Sequence, residues 1–215
     1  LEQAKRVSKF MSFQLLHEMK NWEEDMDRML IMLPIVGTIF KKTYYNSVLG
    51  HNVSELVLPK NLVVNYWAKS LGTAERISEL ILLNKRQIKE RQMSEIYSDV
   101  ELGDPQPVIQ QNQPVAVIQD DTMPYEIIEQ HTFFDLDKDG YAEPYIITFE
   151  RSSKTLLRMV ARFDEDTMYL SDEGKLQKID PIQYYTKFSF IPNPDGGFYD
   201  IGFGVLLGPL NESVN

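Results

Sequence analysis

The chain has no cysteine among its 215 residues, so disulfides and thiolate zinc sites are excluded and the composition suits a reducing compartment. No run of about 18 apolar residues is present to span a membrane. Nor is there a basic start followed by an apolar stretch and a small-residue cleavage site, so nothing targets the chain outward. Histidine is scarce. His17, His51 and His131 stand far apart and lack a paired His-x3-His spacing, which leaves a zinc or general-base role unsupported. There is no P-loop, no Gly-x-Gly-x-x-Gly and no Gly-x-Ser-x-Gly, hence no phosphate cradle, dinucleotide fingerprint or nucleophile elbow. Positive charge is also in short supply. With 22 Lys and Arg against 32 Asp and Glu, the net charge of -10 argues against nonspecific binding to nucleic acid, which needs cations to neutralise phosphates.

What is present is a globular composition. Apolar residues make up 43% of the chain, enough to fill a core, and the length suits one large or two small domains. The chain opens at Leu1 and closes in Leu210-Asn211-Glu212-Ser213-Val214-Asn215, a capping residue and an acidic turn. That pattern reads as a segment cut from a larger protein where a helix begins. No internal repeat at a fixed period suggests a solenoid or propeller.

The fold class expected is α+β. Met11, Leu15, Met19, Trp22, Met26, Met29 and Leu33 recur at spacings of four and three, which predicts one long amphipathic helix over 1–33, ended by Pro34. Its Met-rich stripe reads as packing against a core or a neighbouring subunit, and no ligand is assigned to it. Short β-prone runs follow at Thr38–Tyr45, Glu55–Leu58 and Leu62–Tyr66, separated by turn residues, and predict a small antiparallel meander. Residues 76–83 fit either a strand or a helix. Asn84 with Gln87 three residues later forms a capping box and predicts a short helix from Lys85 to about Met93.

Residues 101–124 turn to Gln, Pro, Asp and small side chains and read as a linker or exposed arm. Strands return at Tyr125–Phe134, Tyr145–Arg151, Thr155–Phe163 and Tyr185–Ile191, with turns at Ser152-Ser153-Lys154 and Glu173-Gly174. The organisation expected is thus 1–100, a linker at 101–124, and a mostly antiparallel β region over 125–215.

One stretch carries chemistry. Asp135-Leu136-Asp137-Lys138-Asp139-Gly140-Tyr141-Ala142-Glu143 matches the first nine positions of a calcium loop. Carboxylates at positions 1, 3 and 5 converge when the backbone wraps tightly, Gly140 allows the sharp turn, the Tyr141 carbonyl is a ligand, and Glu143 binds directly or through water. Position 12 is Ile146 rather than the bidentate Glu, and the flanks read as strands, so this is not an EF-hand. It looks more like the Asp-rich calcium hairpins of β-propeller repeats. The alternative is an ordinary Asp-Gly hairpin turn with solvated acids. A glycosidase-like acid pair from Asp164-Glu165-Asp166 and Asp172-Glu173 needs two carboxyls across a cleft, and solvated turns are the plainer reading. A second reading of the whole chain is a calcium-dependent module that binds a carbohydrate or a surface protein.

Three stretches together resemble the portal proteins of tailed bacteriophages, of the larger type found in short-tailed phages and prophages. The first is 33–45, Leu-Pro-Ile-Val-Gly-Thr-Ile-Phe-Lys-Lys-Thr-Tyr-Tyr. The second is Ser-Glu-Leu-Val-Leu-Pro at 54–59 with Leu-Val-Val-Asn-Tyr-Trp-Ala-Lys-Ser-Leu at 62–71. The third joins 135–146 to Phe-Ile-Pro-Asn-Pro-Asp-Gly-Gly-Phe-Tyr at 190–199 and Gly-Phe-Gly-Val-Leu-Leu-Gly-Pro-Leu-Asn at 202–211. They occur in the family's order and cover most of the chain. The resemblance implies a virion subunit, assembled in the bacterial host cytoplasm as a homododecameric ring at one capsid vertex. Through that ring a terminase motor packages DNA, and the tail or head-completion proteins later attach. It also implies contact with capsid protein, DNA passage without sequence-specific binding, no membrane and no catalysis. This segment would form much of the subunit's outer wing. The Gly- and Pro-rich stretch 192–208, with Phe198, Tyr199 and Phe203, is then either a subunit contact or a plain connector.

Overall fold

A computed structural model describes residues 2–105, 122–172 and 174–214. In chain order the elements are α1 (Glu2–Phe13), α2 (Trp22–Val36), β1 (Thr38–Asn46), β2 (His51–Val57), β3 (Leu62–Val64), β4 (Arg76–Leu83) and α3 (Lys85–Met93). They continue as β5 (Tyr125–Phe134), β6 (Glu143–Glu150), β7 (Leu156–Ala161), β8 (Met168–Leu170), β9 (Leu176–Ile179), β10 (Tyr185–Ser189) and α4 (Phe203–Val214). The protein is α+β, as expected.

The chain divides into two compact units that do not follow the chain order 1–100 and 125–215. One comprises Leu1–Leu62, Tyr66–Ala74 and Gln183–Asn215; the other comprises Val63–Asn65 and Glu75–Ile182. The residues on either side of 101–124 belong to the same sheet, since β4 and β5 pair antiparallel from Arg76↔Thr132 to Leu83↔Tyr125. Residues 101–105 and 123–124 have no regular secondary structure, and most of the expected linker, 106–121, lies outside the described residues.

In the first unit the expected single helix is two. A π-turn over Gln14–Glu18 follows α1, Met19 leaves the helical region with ψ 75, and α2 restarts from Asn21. The restart has a physical signature: the Asn21 carbonyl accepts the Asp25 N–H at 3.0 Å, and Glu23, Glu24 and Asp25 stand in the first turn where the helix dipole favours negative charge. Nor does Pro34 end the helix. It removes one backbone donor near the end, and α2 runs on until Gly37, whose φ of 90 ends it while its N–H donates to the Leu33 carbonyl at 2.8 Å.

Behind α2 lies a three-stranded sheet in the order β10-β1-β2. The expected meander is only partly formed, because β3 joins a different sheet and β1 takes β10 as its second neighbour. As the central strand, β1 is covered on both faces from Thr38 to Lys42, with Ile39 and Phe40 fully buried. Met29, Val57, Tyr185 and Phe198 are also buried in this unit. The last helix, α4, begins at Phe203, ahead of the 210–215 stretch where a helix start was expected, and continues through Pro209.

The second unit is built on an antiparallel sheet in the order β3-β4-β5-β6-β7. Residues 76–83 are strand, and their alternating burial shows why: Ile77, Glu79 and Leu83 are buried while Arg76 and Leu82 are exposed. The capping box forms as expected, with Gln87 N–H donating to Asn84 Oδ1 at 2.9 Å and Asn84 N–H to Gln87 Oε1 at 3.0 Å. It anchors α3, whose Ile88 packs with Leu83, Tyr97, Tyr125, Ile127 and Leu157 in the core. A two-stranded pair, β8 with β9, was not foreseen from the sequence.

Candidate metal centre

Residues 135–142 connect β5 to β6, and their turn is held by the acids themselves. Gly140 N–H donates to Asp135 Oδ2 at 3.1 Å, Asp139 N–H to Asp137 Oδ1 at 3.2 Å, and Tyr141 N–H to Asp139 Oδ1 at 2.7 Å. Each carboxylate thus stabilises a backbone donor two or five residues on, as short acidic side chains do in turns. Lys138 and Gly140 adopt φ of 63 and 95, the left-handed steps that wrap the loop.

The wrapping brings one oxygen from each of Asp135, Asp137 and Asp139 within 4.8 Å of the others. Asp135 is half-buried and the other two are exposed. Asp135 Oδ1 and Glu143 Oε2 are shielded from solvent and have no hydrogen-bond partner. The Tyr145 phenol is pushed above its ordinary value by burial, and the negative charges of Glu143 and Asp137 add to that shift. Both carboxylates therefore act on the same phenol. Tyr141 fixes the loop from outside, because its hydroxyl accepts the Ile179 N–H of β9 at 2.9 Å. Clustered hard oxygens with lone pairs unspent are donors for a hard cation. The chain therefore carries an acidic cluster able to hold a metal ion.

No protein-family model matches the chain, and no curated protein matches it.

The remaining sequence candidates fall elsewhere. Asp164 opens a short turn closed by Thr167, and Asp164, Glu165, Asp166 and Asp172 are exposed; Glu173 lies outside the described residues. His17 is exposed beside the Phe13 ring, and His51 Nδ1 lies 2.9 Å from the Asn52 carbonyl oxygen.

Of the three expected contact aromatics, Phe198 is a core residue. It is 7% exposed and stacks on Phe40 with ring centroids 5.9 Å apart, so its ring is not available at a surface. Tyr199 is partly exposed and donates to the Leu62 carbonyl at 2.9 Å; burial pushes its phenol above the usual value. Phe203 is exposed at the start of α4 and lies edge-on to Phe190. The loop they belong to is tied down: Asn193 N–H donates to Asp200 Oδ1 at 3.1 Å, and Asp200 N–H to Thr38 Oγ1 at 2.7 Å.

Sequence reasoning missed a buried polar group in the second unit. Glu79 and Glu129 face each other across β4 and β5, and His131 Nε2 lies 3.2 Å from Glu129 Oε1. Arg162 is 1% exposed and its Nη1 is 3.4 Å from His131 Nδ1. A guanidinium only donates, so Nδ1 accepts and the Nε2–H tautomer of neutral His131 faces Glu129. The available signal was the period of two: Glu129 and His131 share the inward face of β5 with buried Tyr125 and Ile127. Lys41 is a further buried cation, 5.4 Å from the Trp22 ring centroid. Burial lowers its pKa, against the opposing pull of Asp25.

Proposed function

We propose that the chain is a structural subunit segment of a portal-type ring, the DNA conduit at a phage capsid vertex. It works by geometry in genome packaging, ejection and tail attachment, with terminase, capsid and tail proteins as its partners. One observation carries the reading beyond the resemblance of sequence. The first resembling stretch, 33–45, and the last, 190–211, fold against each other: Phe190 N–H donates to the Gly37 carbonyl at 2.9 Å, Asp200 N–H donates to Thr38 Oγ1 at 2.7 Å, and Gly37 lies in close contact with Gly202. The first and last resembling stretches therefore cooperate in one packed unit, while 135–146 belongs to the other.

The finer reading of the acidic cluster is a Ca2+ site. Asp135, Asp137 and Asp139 supply carboxylates, Tyr141 its carbonyl and Glu143 a fifth oxygen, in the order a calcium loop uses. Its role is to neutralise three adjacent acids and stiffen the β5–β6 hairpin, beside the Tyr141 link to β9. Electron micrographs of the full-length gene product test the ring reading: closed rings are expected.

A further inference from the structure

No residue of α1 is buried, and Val7, Phe10, Met11, Phe13 and, in the turn beyond, Leu16 are each half exposed or more. A helix of 12 residues is marginal in water by itself, so its order depends on whatever covers it.

The surface of this helix is sorted along its length. Its cations, Lys5, Arg6 and Lys9, precede Phe10, Met11 and Phe13, and Leu16 follows in the turn beyond. Spacings of four set Lys5, Lys9 and Phe13 on one face. The solvent face of α2 is sorted in the same sense. Glu23 and Asp27 are exposed near its start, followed by exposed Leu30, Ile31 and Ile35, while Met29 on the other side is buried. Glu24 flanks this face in an ion pair with Arg28.

At 1.5 Å of rise per residue, the run from Lys5 to Phe13 and that from Glu23 to Ile31 are each about 12 Å. Laid parallel, the two faces match: lysines against carboxylates at one end, aromatic and aliphatic side chains together at the other. The apolar end is widened by Val205 and Leu207, exposed on α4, whose start lies beside the Ile35 carbonyl. Laid antiparallel, the lysines meet Ile31 and Phe13 meets Glu23. One chain cannot make the parallel match internally, because the three residues 19–21 between the helices return α1 only in the antiparallel sense.

We propose that α1 of one copy docks parallel along the exposed face of α2 of a second copy. The two surfaces differ, so the contact is head-to-tail and propagates from copy to copy until the rotation closes. It deepens the ring-subunit reading and rests on that reading for closure.

Sedimentation velocity of the chain at low salt tests it. The wild type is expected to associate as concentration rises, and less so as salt screens the charges. A Lys5→Glu/Lys9→Glu variant and a Glu23→Lys/Asp27→Lys variant are each expected to weaken association about tenfold or more, with unchanged circular dichroism because all four positions are exposed. Mixing the two variants is expected to restore association, since each then offers the charge the other lacks. A chain that stays monomeric throughout its soluble range, or whose association ignores both reversals, overturns the contact. Either result leaves the ring reading to be decided by its own micrographs, because another surface can close a ring.

Discussion

Gly37 and Gly202 touch backbone to backbone, although most of the chain separates them in sequence. A Cβ on Gly37 would lie 2.4 Å from both the Asp200 carbonyl oxygen and the Gly202 nitrogen; one on Gly202 would lie 2.4 Å from the Ile35 carbonyl oxygen. The end of α2 is thereby welded to the start of α4, and the Asp200 loop is drawn onto β1.

Alanine at either position is expected to destabilise the first unit by about 3 kcal/mol or more, read by thermal melting. Gly37→Ala adds strain at positive φ to the clash, whereas Gly202 lacks positive φ and its alanine reports the contact alone. An unchanged melting temperature for Gly202→Ala contradicts the close approach.

Arg162→Met tests the buried cluster. It removes the cation beside His131 and leaves Glu79 and Glu129 facing each other across the sheet, so a loss of roughly 3–5 kcal/mol is expected. Restoring stability by adding Glu79→Gln would show that the cost is uncompensated charge, and no recovery would point to lost packing of the guanidinium over the Phe133 ring.

The contrast between the two units explains what the sequence revealed. The capping box at Asn84 and the strand Tyr125–Phe134 are local signals, and both elements form where the residues place them. The expected meander formed only as far as β1–β2, because pairing is a long-range choice: β1 takes β10 as its other neighbour, and β3 takes β4. The single N-terminal helix failed because a stripe at spacings of four and three carries through a break, while the acidic first turn at Glu23, Glu24 and Asp25 marks the restart. The acidic loop was legible because its acids alternate within one short stretch, at 135, 137 and 139. The Glu79–Glu129–His131–Arg162 group was not, since strand register alone brings its members together.

Asp200 sets an acid limit for the first unit. Burial pushes its pKa up, but the Lys187 ammonium, the Ser189 hydroxyl and the Asn193 N–H outweigh it and hold the carboxyl below its ordinary value. A depressed folded pKa contributes stability that is complete above about pH 4, the unfolded value, and is lost as pH falls through the folded one. Denaturant melts from pH 7 down to pH 2 are expected to show this loss in the wild type. In Asp200→Asn the acid slope should flatten, at a cost of about 1–3 kcal/mol near neutrality. Equal acid slopes in the two proteins contradict the assignment.

Calcium is expected to raise the melting temperature of the second unit, with magnesium less effective because it demands a smaller, more regular cage. Asp137→Ala and Asp139→Ala should abolish the rise and lower the metal-free melting temperature only modestly, since each removes one turn hydrogen bond at an exposed position. A calcium response that persists in both variants places the ion elsewhere.

The ring reading is tested most directly by electron micrographs of the purified full-length gene product, classified by rotational symmetry. Closed rings with a central channel are the predicted result. A field of uniform monomers, under conditions where the protein is folded by circular dichroism, contradicts it.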